Sequence, residues 1–131
     1  MDLKNWVILF LNNQDLAKKD ILEIQEISNT KLLIKRNSQD QTVLLMPDLK
    51  FEELKENQNV LIITLNKKSN IDLTIKNWKE LSQKKNLDLI FLNSTLENKW
   101  ILNPYTHNII CDKQTLKQGL LTIAENVGFV E

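Results

Sequence analysis

The chain contains one tyrosine, one histidine and one cysteine, and all three fall within Tyr105-Thr-His-Asn-Ile-Ile-Cys111-Asp112. A thiol enzyme needs an imidazole in hydrogen-bond contact with its cysteine, so that the thiolate forms at neutral pH. If the segment is extended, His107 and Cys111 face the same side about 13 Å apart, at roughly 3.3 Å per residue. If it is helical, they sit at i and i+4 and could touch. The adjacent Ile109 and Ile110 favour a third arrangement, a buried strand or hydrophobic plug in which Cys111 is a small apolar filler. Asp112 reads as the cap of a following helix. Tyr105 and His107 are the candidate binding residues of this loop, since loops carrying rare side chains are where function concentrates.

A second constellation is Asp88 with Glu97-Asn-Lys99. Nucleases of the D…E-x-K type use two acids to hold a divalent ion at the scissile phosphate and a lysine to support the attacking water. Here Glu97 and Lys99 stand beside a turn, where an exposed charge pair is the plainer explanation. A third set is Asn12, Asn13, Asn66 and Lys67, which follow two similar apolar runs. If those runs are neighbouring strands, the four residues line a crevice at the strands' carboxyl ends, where α/β sheets bind small polar ligands.

Composition limits the rest. Lys+Arg and Asp+Glu both number 17, so the net charge is zero and the general attraction for nucleic acid is missing. The basic pairs Lys18-Lys19, Lys67-Lys68 and Lys84-Lys85 read as solvated faces, and Arg36 is the only arginine. A single cysteine and a single histidine rule out an internal disulfide and the usual zinc sets. Neither a metal nor a cofactor is expected. The only glycines are Gly119 and Gly128, so no Gly-rich phosphate loop or dinucleotide fingerprint fits before residue 119. Asn (16), Lys (16), Ile (14) and Leu (23) dominate at the expense of Gly, Ala, Pro and Arg, a bias that AT-rich codons produce. The longest apolar run, Trp6 to Leu11, is too short to span a membrane. Cytoplasmic location is the expectation.

The elements that must position these residues suggest two copies of one unit. Trp6–Asn12 and Val60–Asn66 look like buried strands 54 residues apart, sharing Ile8/Ile62, Leu11/Leu65 and Asn12/Asn66. At the same displacement Ala17, Ile21, Ile24 and Ile27 match Ile71, Ile75, Trp78 and Leu81, spaced as one helix face. Hairpins follow in both: Lys31–Ser38 with Gln41–Pro47, and Leu87–Ser94 with Asn98–Pro104. Asn-Ser opens each turn, with Asn taking the left-handed backbone that glycine usually takes. A short helix around Phe51–Asn57 and a longer one from Gln114 to Val127 complete the units. The second buries Leu116, Leu120, Ile123, Ala124 and Val127, and ends on Gly128 with Phe129 packing back. Trp6, Trp78 and Trp100 read as core.

The expected fold is α/β in the α+β sense: one domain over 1–131, with a mixed sheet of about six strands covered by helices. It is built as a tandem βαββα duplication (about 6–57 and 60–127) sharing one core. Residues 6–66 also spell the ferredoxin-like order β-α-β-β-α-β as an alternative. The expected function is a non-enzymatic interaction protein: an adaptor, a regulatory subunit or an immunity-type inhibitor. Its contact would be a sheet edge or the Tyr105–Asp112 loop, with a homodimer as one form. The competing expectation is an enzyme, either the Asp88/Glu97/Lys99 nuclease or the His107/Cys111 thiol enzyme.

Overall fold

A computed structural model describes residues 2–51 and 59–130. Its elements are α1 (Leu3–Lys18), β1 (Ile21–Ser28), β2 (Lys31–Arg36), β3 (Gln41–Leu45), β4 (Val60–Leu65), α2 (Lys68–Lys76) and α3 (Trp78–Leu81). They continue with β5 (Leu87–Asn93), β6 (Asn98–Leu102), α4 (Pro104–Ile110), a 3-10 turn (Lys113–Thr115) and α5 (Leu116–Val127). The strands form one mixed six-stranded sheet in chain order, β1-β2-β3-β4-β5-β6. The β3/β4 and β4/β5 pairs are parallel, and the other three pairs are antiparallel. The expected α/β class and six-stranded mixed sheet are therefore observed.

Strand alternation divides the core in two. On one face Val7 and Leu11 of α1 pack on Leu32, Ile34, Val43, Leu45, Leu61, Ile63 and Ile90. On the other, Ile71, Trp78, Leu81, Leu120, Ala124 and Val127 of the later helices pack on Val60, Ile62, Leu87, Leu89, Phe91, Trp100 and Leu102. β4 is central and covered on both sides, which is why Val60–Thr64 is buried without a break. Trp78 and Trp100 are core as expected, while Trp6 is half-buried and stacks on Phe10 at 5.0 Å.

The first thirty residues depart from the expectation. Trp6–Asn12 is not a strand but the middle of α1. A six-residue apolar run suits a strand and a buried helix equally, and here its flanks decide. Asp2 caps the helix by accepting the Asn5 N–H at 2.8 Å, and Lys19 closes it in the left-handed conformation. The expected helix over Ala17–Ile27 is instead the end of α1 followed by strand β1. Its misleading spacing has a local cause. A register shift between Ile21 and Glu23 brings Ile21 and Ile24 onto one face, opposite Arg36 and Ile34. An unbulged strand would place residues three apart on opposite faces, so the bulge imitates a helical repeat.

The matched segments at the 54-residue displacement thus fold differently, and the structure lends the tandem duplication no support. The correspondence that survives is between the β2–β3 and β5–β6 hairpins. The ferredoxin-like order fails for the same reason. The short helix expected around Phe51–Asn57 lies, apart from Phe51, outside the described residues. At the C-terminus Asp112 caps the 3-10 turn through the Gln114 N–H, and Gly128 ends α5 with φ +96°. Ile123, expected in the core, is 37% exposed.

The turn chemistry also differs. Among the described residues the left-handed non-glycine positions are Lys19 (φ 50°) and Glu97 (φ 52°), not the hairpin asparagines. A Cβ is strained there, so Lys19→Gly and Glu97→Gly should each raise stability by about 0.5–1 kcal/mol. Urea midpoints check this; a lower midpoint for both variants would contradict the backbone assignment.

No helix among the described residues is long and apolar enough to cross a membrane.

Candidate functional site

The carboxyl ends of the parallel strands do not form the expected crevice. As far as they are described, both connections pack on one face: Leu49 and Phe51 after β3, and Ile71, Trp78 and Leu81 between β4 and β5. With the strand order never reversing, there is no switch point to open a cleft. Instead, three buried asparagines seal this end. Asn66 donates from Nδ2 to the Ala124 and Gly128 carbonyls, both at 2.9 Å, and accepts the Trp100 indole N–H at 2.9 Å. Asn70 donates to Pro47 O, Thr64 Oγ1 and Leu65 O and accepts the Leu49 N–H. Asn93 donates to the Gly128 carbonyl at 2.8 Å. Every hydrogen-bonding atom of the Asn66 amide faces the protein interior, so it is a structural tie. Asn12 is exposed in mid-α1 and is not its counterpart; Lys67 pairs with Asp48 at 3.0 Å. Removing Asn12 and Asn66 from a common binding site follows directly.

The residues of the nuclease expectation are also kept apart. Leu89 pairs with Leu102 and Asn93 with Asn98, so Asp88 is at the open end of the β5–β6 hairpin and Glu97 at its turn. From Asp88 to Asn93 the strand rises about 17 Å, at about 3.4 Å per residue, whereas one ion bridges oxygens only about 5 Å apart. Asp88 accepts a hydrogen bond from Asn103 at 3.0 Å, and the Lys99 ammonium lies 5.2 Å from the Phe10 ring centroid. Among the described residues no group of three or more His, Cys, Asp or Glu is placed to hold a metal ion.

The Tyr105–Asp112 segment is a helix as far as Ile110, with Cys111 and Asp112 beyond its end, and not a strand or plug. Asn103 caps it by accepting the Thr106 N–H at 2.9 Å, and Pro104 opens it with φ already suited to a helix. His107 and Cys111 are joined through the backbone, Cys111 N–H to His107 O at 3.0 Å. The imidazole is turned edge-on to Trp78, with ring centroids 5.8 Å apart, and so packs α4 on α3. The Trp78 indole N–H donates to Asn108 at 2.9 Å, while Lys85 stands 5.6 Å from the Tyr105 ring centroid. This pinned face leaves Ile109 and Ile110 pointing outward, 66% and 75% exposed. They are no plug.

Sequence reasoning passed over a polar cluster at the same end of the sheet, toward the β1–β2 edge. Asp20 accepts the Ser38 hydroxyl at 2.7 Å, the Ser38 N–H at 3.0 Å and Arg36 Nη1 at 3.4 Å. The Ser38 hydroxyl first, with the Ser38 N–H and the Arg36 guanidinium, holds the Asp20 carboxyl below the usual carboxylate range despite its partial burial. The Arg36 N–H, with the Lys35 ammonium, does the same for Asp40. The available signal was Arg36 itself, the one arginine in a lysine-rich chain.

These two lowered carboxyls imply a direction for acid unfolding. A folded pKa below the unfolded value means the stabilisation is present above about pH 4 and lost as pH falls through the folded pKa. Ser38→Ala should move the Asp20 midpoint upward in a carbon-detected NMR titration. An unchanged midpoint would show that the hydroxyl does not hold the carboxylate.

Among the described residues the architecture is thus a mixed α/β sheet with α1 on one face and the later helices on the other. No protein-family model, curated protein or solved structure matches the chain.

Proposed function

We propose that the chain is a cytoplasmic, non-enzymatic protein-interaction protein, of the adaptor, regulatory-subunit or immunity-inhibitor kind, and that α4 is its contact. The observation carrying this reading is the exposure of Ile109 and Ile110 side by side on a helix whose opposite face is pinned by Trp78. A lone exposed isoleucine is ordinary surface. Two on a capped, pre-ordered helix are an anchor that loses little conformational freedom on binding. Burying each on a partner is worth about 1.5–3 kcal/mol. The separation of Asp88 from Glu97 and the use of His107 in packing favour this reading over either enzyme.

The test compares wild type with an Ile109→Asp/Ile110→Asp double variant. Cross-linking in the native cell and light scattering of the purified protein report a foreign partner and a second copy, respectively. Wild type should recover one of these and the variant should lose it, with an unchanged melting temperature. Equal recovery by both proteins would remove α4 from the contact. Divalent-metal-dependent cleavage of DNA or RNA that disappears in Asp88→Asn would overturn the non-enzymatic reading itself.

A further inference from the structure

Between the end of α1, the start of β1 and the β2–β3 hairpin lies a polar cavity of about 240 Å³. Its lining includes Asp15, Lys18, Asp20, Arg36, Ser38 and Gln41. A hydrogen-bond account of these groups is uneven. The acids are already satisfied: Asp20 accepts three bonds from Ser38 and Arg36, and Asp15 accepts the N–H groups of Asp20 at 2.7 Å and Ile21 at 3.0 Å. The donors are not. Arg36 carries five N–H groups, and its side-chain bonds go from Nη1 to Asp20 and from Nη2 to Gln41 Oε1 at 3.1 Å.

Gln41 is only 9% exposed, and its Oε1 is spent on Arg36. Its Nε2 has no partner among the described residues, yet no fully buried side-chain nitrogen there is left unpaired. Gln41 is one of the residues lining the cavity. Lys18, on the last turn of α1, takes part in no ion pair among the described residues. The carbonyl dipoles at that helix end are partly answered by the Lys19 N–H on Asp15 O at 2.7 Å.

We propose that this cavity is a binding site for a small carboxylate ligand, held by the Arg36 fork, the Gln41 amide and the Lys18 ammonium. A planar guanidinium with unspent N–H groups matches a carboxylate better than it matches a spherical anion. The volume corresponds to roughly eight waters at about 30 Å³ each, enough for a mono- or dicarboxylate of a few carbons. The site lies apart from α4, toward the opposite edge of the sheet, so it stands or falls independently of the interaction reading.

The sole arginine makes the experiment direct, because its Nε–H gives one side-chain NMR signal. Acetate and succinate are titrated into the full chain, with chloride at equal ionic strength as control. The expected result is a saturable shift of the Arg36 Nε–H and Gln41 Nε2 signals with the carboxylates and not with chloride. Loss of one charge-assisted bond should weaken binding about tenfold or more in Arg36→Gln. Should that variant unfold, Lys18→Gln, an exposed change, should weaken it by a smaller factor with the fold intact. Shifts that never saturate, that chloride reproduces, or that persist unchanged in folded Lys18→Gln and Gln41→Leu proteins would overturn the proposal.

Discussion

Asn66→Ala is expected to lower the unfolding free energy by about 2–5 kcal/mol, a large share of the 5–15 kcal/mol of an ordinary domain. Asn66 is fully buried, and its amide makes three side-chain hydrogen bonds. Alanine leaves the Trp100 indole N–H, itself on a residue only 8% exposed, without its acceptor. A buried orphan donor costs its whole desolvation penalty, which exceeds the net worth of an ordinary bond. The Ala124 and Gly128 carbonyls lose one donor each but retain others, from the Gly128 N–H and from Asn93. The control is Asn12→Ala, which replaces an exposed residue in mid-α1 and should stay within about 0.5 kcal/mol of wild type. Urea unfolding followed by tryptophan fluorescence measures both. Equal effects at the two positions would contradict the placement of one outside and the other inside.

Phe91→Ala should cost about 3–5 kcal/mol, because a rigid core closes only partly around a deleted ring. Phe91 is fully buried in β5 and stacks on Trp100 with centroids 4.5 Å apart and planes at 16°. Phe91→Leu keeps most of the volume and should cost about 1–1.5 kcal/mol. The two large effects are coupled by geometry: Asn66 holds the indole edge of Trp100 and Phe91 supports its face. The double variant should therefore lose less than the sum of the single losses. Strict additivity would mean that Trp100 does not connect them.

The legible elements follow plain patterns. β2, β3, β6, α2 and α5 bury residues at the plain period of their own type, while β4 and β5, covered on both faces, read as continuous apolar runs. Two of the misread elements, α1 and β1, break that rule. α1 carries Trp6–Leu11, apolar on every side, so no polar stripe marks it as helical. β1 carries a bulge that converts a two-residue period into a three-residue one. Binding and chemical candidates were less legible still. Tyr105–Asp112 was identified by its rare side chains, but which of them face water depended on α4 docking against Trp78. Arg36 was noticed only for being single, and its partners Asp20 and Gln41 come from the starts of two other strands.

The sequence by itself determined the architecture's class, because patterns of apolar residues over a few turns or strand steps are local and decide what must be buried. It also determined what the chain lacks the material to build: no glycine before residue 119 for a phosphate loop, and only one histidine and one cysteine toward the usual zinc sets. Tertiary structure alone decided which asparagine is a surface residue and which ties Trp100 to the end of α5. It alone separated Asp88 from Glu97 along a hairpin and gathered Asp20, Arg36 and Gln41 around one cavity. Those outcomes depend on strand register and crossover direction. A shift of one residue in register carries every side chain to the other face, and no local pattern in this chain records that choice.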